Sequence, residues 1–469
     1  MAAPEYTGAS GAPQLRHALS PLSAWSLSLG CIVGWGAFVM PATTFLPIAG
    51  PVGTAIAFAV GALVMVVIAL DCGFMTKRYP GAGGIYEYVR ETFGPNHGFV
   101  CSWCLVLVYG AAISANATAF ALLARSVVGD SLRVGFHYVI AGYDVFFGEV
   151  ATALVIVVAV VAVCYASVRA SGILQTVLVC GLVAGTLAIV GLAVAGPAPP
   201  AATFEPVFGE VNSPVVGTLG VLAVAPWAFV GFESVCQETS EGAFPASRMT
   251  AIMVTAVLCG AFVYAAIAVV TAMVVPDGFA NWAEYVKASP DLEGLLALPS
   301  FYAAYAVGGE VGFAIAVVVA LCAVLSGVVG FFLASSRLLY AMSRDGVLPS
   351  YFSRVDPKRR TPVRALVFVA AMAFIGSLFG RTVLGWFVDL LSLGVLVAYG
   401  YTAAAVIYCA RRDRSPAWLA LGVLGVVLTT LFLVLFLFPG LGAPTSEESY
   451  IILIAWIALG VNFYKPTFD

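Results

Sequence analysis

The chain has 469 residues, 62% of them hydrophobic, with mean hydropathy +1.03 and only 10% charged residues. An ordinary soluble domain carries roughly 25% charged residues, so a water-soluble protein of this length is excluded, and so is disorder, which needs low hydrophobicity. The net charge of −3 is too small to imply a nucleic-acid partner. The composition points instead to one polytopic, all-α integral membrane protein with the lipid bilayer as its solvent.

In chain order, residues 1–20 read as a polar cytoplasmic tail with no removable signal peptide, because the first apolar run is long enough to stay in the bilayer. A bilayer core of about 30 Å needs about 20 apolar helical residues. Twelve stretches meet or approach that: 21–47, 51–76, 97–128, 146–167, 172–195, 213–239, 250–275, 308–342, 362–380, 384–410, 416–438 and the shorter 449–464. The third and eighth exceed the bilayer and are expected to tilt or project. If the N-terminus is cytoplasmic, 17 of the 21 Lys and Arg fall on inner segments; Arg125, Arg133, Lys287 and Arg381 fall outside. That bias places both termini in the cytoplasm. Residues 77–96 predict an inner reentrant turn followed by an interfacial helix. Residues 276–307, punctuated by Pro276, Pro290 and Pro299, predict an outer lid of two short helices.

Two spans look broken. Span one holds Gly30, Gly34 and Gly36 within seven residues, each weakening a helix by about 1 kcal/mol relative to alanine. A small-residue packing face, with Gly30 and Gly34 four apart, accounts for these glycines equally well. Span six carries Pro226, Trp227, Val230, Gly231 and then Glu233, a carboxylate in an apolar run. Such an acid is a functional candidate by default, and breaks in corresponding positions of two halves point to a transporter site. The halves would be 21–195 and 213–410, with 416–464 as two accessory helices. Unwound amides attract an anion and carbonyl ends attract a cation, which suits a zwitterion. The candidate contacts are the amides of Trp35 and Gly36 and the carbonyls of Ile32, Trp227 and Val230, with Val33, Gly34 and Gly231 in the same turns.

Four pieces of sequence carry a resemblance to the amino acid–polyamine–organocation superfamily of permeases. They are Gly34 through Phe38, Tyr79 through Tyr86 with Phe93 and Gly94, Ser336 through Pro349 with Thr361 and Pro362, and Asp389 through Tyr399. The second is similar to Y-P-x-A-G-G-x-Y and the third to S-R-x-x-x-A-M-x-R-D-G-x-L-P. The resemblance implies a LeuT-like five-plus-five inverted repeat with helices one and six broken, two extra C-terminal helices, and alternating access. Span six is similar to that of the arginine/agmatine antiporter, which implies a gating role for Trp227 and a coupling or gating role for Glu233. Trp35 departs from the small residue usual in the first glycine turn. Many proton-coupled members have a lysine in span five, eleven residues after a serine; here Ser171 is followed at that spacing by Leu182, and the span has no lysine.

Other polar residues favour structural readings. Asp71, near Lys77 and Arg78, reads as a salt-bridged or snorkelling acid ahead of a proton relay. Asp389 reads as structural, and Tyr109, Ser114 and Asn116 as helix–helix hydrogen bonders ahead of pocket residues. The basic run Arg354 to Arg364 reads as a cytoplasmic anchor. The ten cysteines lie mostly in apolar runs, so no disulfide framework is expected, and Cys101 and Cys104 read as free thiols. The three histidines are scattered, and no P-loop, H-E-x-x-H or nucleophile elbow occurs, so no cofactor, metal or enzymatic chemistry is expected. The functional reading is a secondary permease or antiporter for amino acids or related amines. Its alternative is a membrane sensor or scaffold that keeps the fold without transport.

Overall fold

The computed structural model describes residues 19–196, 204–209, 213–437 and 446–465. Nearly all of the expected N-terminal tail, including Arg16, lies outside the described residues. The chain folds into helices α1 (Pro21–Ile32), α2 (Gly36–Met40), α3 (Leu46–Arg78), α4 (Ile85–Phe93), α5 (Pro95–Val128), α6 (Phe147–Ala166), α7 (Val168–Ala195), α8 (Pro214–Ala223), α9 (Ala225–Ala228), α10 (Met249–Met273), α11 (Trp282–Ala288), α12 (Pro299–Arg344), α13 (Val363–Ser377), α14 (Val383–Arg412), α15 (Pro416–Leu437) and α16 (Glu447–Phe463). Side-chain oxygens of Ser20, Ser167, Ser213, Asn281 and Ser446 cap α1, α7, α8, α11 and α16, each such cap contributing about 1 kcal/mol.

Eight helical stretches among the described residues are long and apolar enough to cross a membrane, or nine if the bent pair around residue 224 is one span. This is an all-α, multi-pass membrane protein. The difference from twelve expected stretches has a physical origin at four places. The first expected span is split: α1 has 12 residues, too few alone, and its second half runs on into α3. Gly50, at φ +68, kinks that run just before Pro51. The ninth stretch, α13, has 15 residues, and the last, α16, has 17. The sixth bends by 46° between α8 and the segment 225–241.

One loop follows expectation and the next does not. Residues 276–307 contain the short helix α11, single turns at Ser289–Asp291 and Gly294–Ala297, and the opening stretch of α12 from Pro299, which Gly309, at φ +57, kinks away from the rest of that helix, so two short helical pieces are present as expected. Between α5 and α6 the chain makes an unforeseen antiparallel hairpin, β1 (His137–Ile140) with β2 (Tyr143–Phe146). Its two-residue turn has positive φ at Ala141 and Gly142, as a tight hairpin demands; Ala-Gly carries a weaker turn signal than Asn-Gly. Residues 79–84 turn and lead into α4, in line with the expected turn and short helix.

The core sits where α12 packs on α5, α7 and α1. Its far end explains two of the sequence motifs. Arg344 Nη2 reaches Glu87 Oε1 at 3.1 Å, and Arg90 pairs with Asp345, so the turn-and-helix motif and the S-R…R-D-G motif bind each other. Burial raises the Glu87 carboxyl against the opposing pull of Arg344. Arg78 pairs with Asp413, tying the end of α3 to the end of α14. Asp389 Oδ2 accepts from Ser446 N at 3.0 Å and Ser449 Oγ at 2.8 Å, which docks the start of α16 on α14.

Candidate functional site

The first break follows from Gly34 and Gly36. Val33 leaves the helix (φ −95°, ψ 100°) and helical geometry resumes at Gly36. The second break runs from α9 through Gly231, whose φ of +105° is open to glycine at no steric cost. A Cβ at 231 would also lie 2.4 Å from Cys31 Cβ, so the two breaks are in direct contact.

A cavity of about 30 Å³ lies between them. That is room for one or two waters. Its wall includes Ile32, Gly34, Trp35 and Gly36 from the first break and Trp227 and Val230 from the second. Ala112, Ala115 and Asn116 of α5, Tyr264 of α10, Phe331 of α12 and Leu384, Phe387, Val388 and Leu391 of α14 complete most of it. None of its lining residues is charged. Trp227 lies across the glycine turn: a Cβ on Gly36 would be 2.2 Å from its Cη2. Its ring meets Trp35 edge-on, centroids 5.9 Å apart. The two indoles cover one side of the cavity with apolar surface.

The backbone groups of the breaks are partly engaged. Trp35 N–H donates to Asn116 Oδ1 at 3.4 Å, a long bond. Asn116 Nδ2 donates to Ala112 O at 2.9 Å. Tyr264 donates its hydroxyl to Ile32 O at 3.1 Å, and Val230 N–H donates to Trp227 O at 3.2 Å. A carbonyl has a second lone pair, so Ile32 O retains acceptor capacity, whereas Trp227 O also receives Phe229 N–H.

Of the residues expected at the site, Val33, Gly231 and Glu233 are buried but absent from the cavity wall. Glu233 turns back on its own break. Its Oε2 accepts from Gly231 N at 2.9 Å and from the Tyr399 hydroxyl at 2.9 Å; its Oε1 accepts from the Tyr109 hydroxyl at 3.2 Å. Gln237 Nε2 donates to the same Tyr109 oxygen at 3.3 Å. The carboxylate thereby pins the second break to α5 and α14. Tyr109 serves Glu233 and not the cavity, and Ser114 bonds its own helix at Gly110 O.

Residues that sequence reasoning passed over also hold the breaks. Gln175 of α7 donates to Ser26 O at 3.1 Å and sits against Gly30 and Gly330, stitching α1, α7 and α12 together. A lone glutamine in an apolar span was the signal available for it. Leu182, two turns on, is buried. Beyond the second break, Arg337 and Glu241 form a fully buried bidentate pair, Nε to Oε1 at 2.8 Å and Nη2 to Oε2 at 3.3 Å. Leu19, just ahead of α1, pairs with the backbone of Glu241 and Ala243 on the same segment.

Comparison with known proteins agrees with the resemblance read from the motifs. The family profile described as "Amino acid permease" matches residues 19–459. The chain is similar to the branched-chain amino acid permease BcaP of Bacillus subtilis, 26% identical over 97% of this chain and 94% of that protein. It is also similar to the methylthioribose transporter of the same organism, 26% identical over 96% and 93%. The vacuolar cationic amino acid transporter 4 of Arabidopsis thaliana is 27% identical over 87% of this chain and 65% of its own length.

Proposed function

This chain belongs to the amino acid permease family, and on that premise we propose that it is a secondary transporter carrying an amino acid across the cell membrane by alternating access. The observation that supports this best is the meeting of two helix breaks at one cavity, with polar backbone in both walls. The working arrangement is twelve spans, a LeuT-like five-plus-five repeat over 21–195 and 213–410, accessory helices over 416–464 and both termini cytoplasmic. The substrate carboxylate approaches the amides of Trp35 and Gly36. Its ammonium approaches the carbonyls of Ile32, Trp227 and Val230. Val33, Gly34 and Gly231 supply the turns that aim these groups.

Trp227 is the lid. Substrate entry requires its ring to leave Gly36, because a cavity of about 30 Å³ is far below the 300–1,000 Å³ typical of ligand pockets. Glu233 sets the gate's geometry by holding Gly231 against α5 and α14. The uncharged wall favours a neutral, apolar side chain, since a cationic one would be buried without a counter-charge. Two similar proteins, from Bacillus subtilis and Lactococcus lactis, are named branched-chain amino acid permeases.

Counterflow in proteoliposomes tests the reading. Preloaded unlabelled leucine, isoleucine or valine should drive accumulation of labelled leucine, and arginine should not. Binding of leucine without counterflow would make the protein a sensor. Counterflow by arginine alone would overturn the substrate class.

A further inference from the structure

Asp71 of α3 is fully buried, and neither carboxyl oxygen has a hydrogen-bond partner among the described residues. The site reading makes no use of it. Its surroundings are set by three helices. Oδ2 presses on the backbone of Gly425 in α15, where an added Cβ would lie 2.4 Å from that oxygen and 2.8 Å from the Ala403 methyl of α14. Only glycine at 425 leaves room for the carboxyl. The acid therefore fills the seam between the bundle and the first accessory helix.

Such a placement is costly for a charged group. A carboxylate without donors or a partner charge carries an uncompensated desolvation penalty, and the penalty falls away when the group holds a proton. A metal cation is a poor occupant, because hard cations need several oxygen ligands and no group of three or more His, Cys, Asp or Glu able to hold one occurs among the described residues. The cations on α3 and α14 sit at their ends: Lys77 and Arg78 on α3, Arg411 and Arg412 on α14. On α3, Cys72 is adjacent and Lys77 and Arg78 lie two turns on, Arg78 being engaged by Asp413. On α14 there are Asp389, Tyr399, one turn before Ala403, Tyr401, Tyr408 and Cys409; α10, also packed on α3, has Cys259 and Tyr264, and α15 has no titratable residue. The segment after the second break carries Glu233, Cys236, Glu238 and Glu241, Glu241 being paired with Arg337, and α4 carries Tyr86, Glu87, Tyr88, Arg90 and Glu91.

We propose that Asp71 is a proton-binding site. It holds the proton in this conformation and exchanges it with water when the α15 seam loosens during the transport cycle. The water-facing end of α3 at Arg78 is seven residues away, roughly 10 Å at 1.5 Å per residue. The exchange step rests on the transporter reading; the bound proton does not.

Two measurements on the purified full chain test it. Infrared spectra at neutral pH should show the carbonyl band of a protonated carboxyl without hydrogen bonds, shifted in heavy water and missing from Asp71→Asn. Absence of that band from the wild type overturns the site, whether or not the protein transports. In weakly buffered solution, saturating leucine should change the proton count of the wild type, and Asp71→Asn should lose that change while still binding leucine. An unaltered proton exchange in Asp71→Asn, or none in a wild type that binds leucine, overturns the exchange step. Failure of leucine to bind at all counts against the transporter reading and leaves the infrared result to decide the site.

Discussion

Gly36→Ala is a one-methyl test of the lid. The new Cβ would stand 2.2 Å from Trp227 Cη2 and 2.8 Å from Cζ2, where ordinary contact begins near 3.4 Å. The indole must therefore retreat by more than 1 Å. It has little freedom to do so, being 7% exposed and packed edge-on against Trp35. Overpacking of this kind costs about 1–3 kcal/mol. If the displaced ring can no longer close over a substrate, affinity should fall roughly 5- to 150-fold, since each 1.4 kcal/mol is tenfold. The check is leucine binding to purified Gly36→Ala, alone and combined with Trp227→Phe, whose smaller ring makes room for the methyl. The double variant should bind better than Gly36→Ala alone, a coupling that a double-mutant cycle isolates. Unchanged affinity in Gly36→Ala, or no rescue by Trp227→Phe, would refute the lid and reduce the contact to packing.

Glu233→Gln should fold, because its amide oxygen can still accept from Gly231 and Tyr399 while its NH₂ donates to Tyr109. Glu233→Ala strands one amide and two hydroxyls, at about 1–3 kcal/mol each, and should show a lower melting temperature; equal melting of the two variants would contradict the pinning role. If wild-type uptake depends on pH and Glu233→Gln keeps the same profile, Glu233 is structural only. Breaking the buried pair by Arg337→Met should cost about 3–5 kcal/mol, and Arg337→Met with Glu241→Leu should recover much of it; thermal unfolding in detergent reads both. The Arg78 guanidinium holds the Asp413 carboxyl below its ordinary value. The pair's contribution is then fully present above about pH 4 and lost as pH falls through the lowered value, so wild type and Asp413→Asn should melt differently at pH 7 and converge in acid. Labelling of a single cysteine at Ser353 from outside sealed cells should fail if the loop is cytoplasmic.

Much of this architecture is written in composition. Stretches of 20 or more apolar residues with few charges have no stable place outside a bilayer, so a helical membrane protein follows without tertiary information. Gly231, with a carboxylate two residues on, was legible as a break because glycine weakens a helix locally; Gly34 was equally legible as a packing face, and the extended backbone at Val33 is what decides for a break. The motif at Tyr79–Tyr86 and the one at Ser336–Pro349 were visible as strings, yet their mutual ion pairs through Glu87, Arg90, Arg344 and Asp345 were not. The reason is the lack of a polar face: helices apolar all round carry no period to say which side meets protein and which meets lipid. Helix rotation and tilt are settled only by packing. Those rotations turn Glu233 toward Tyr109 and Tyr399 instead of the cavity, lay Trp227 on Gly36 and bring Gln175 to Ser26. Span length is also a tertiary matter here. The split of the first span, the kink at Gly50 and the shortness of α13 depend on neighbours that accept the broken backbone, and no local sequence rule contains those neighbours.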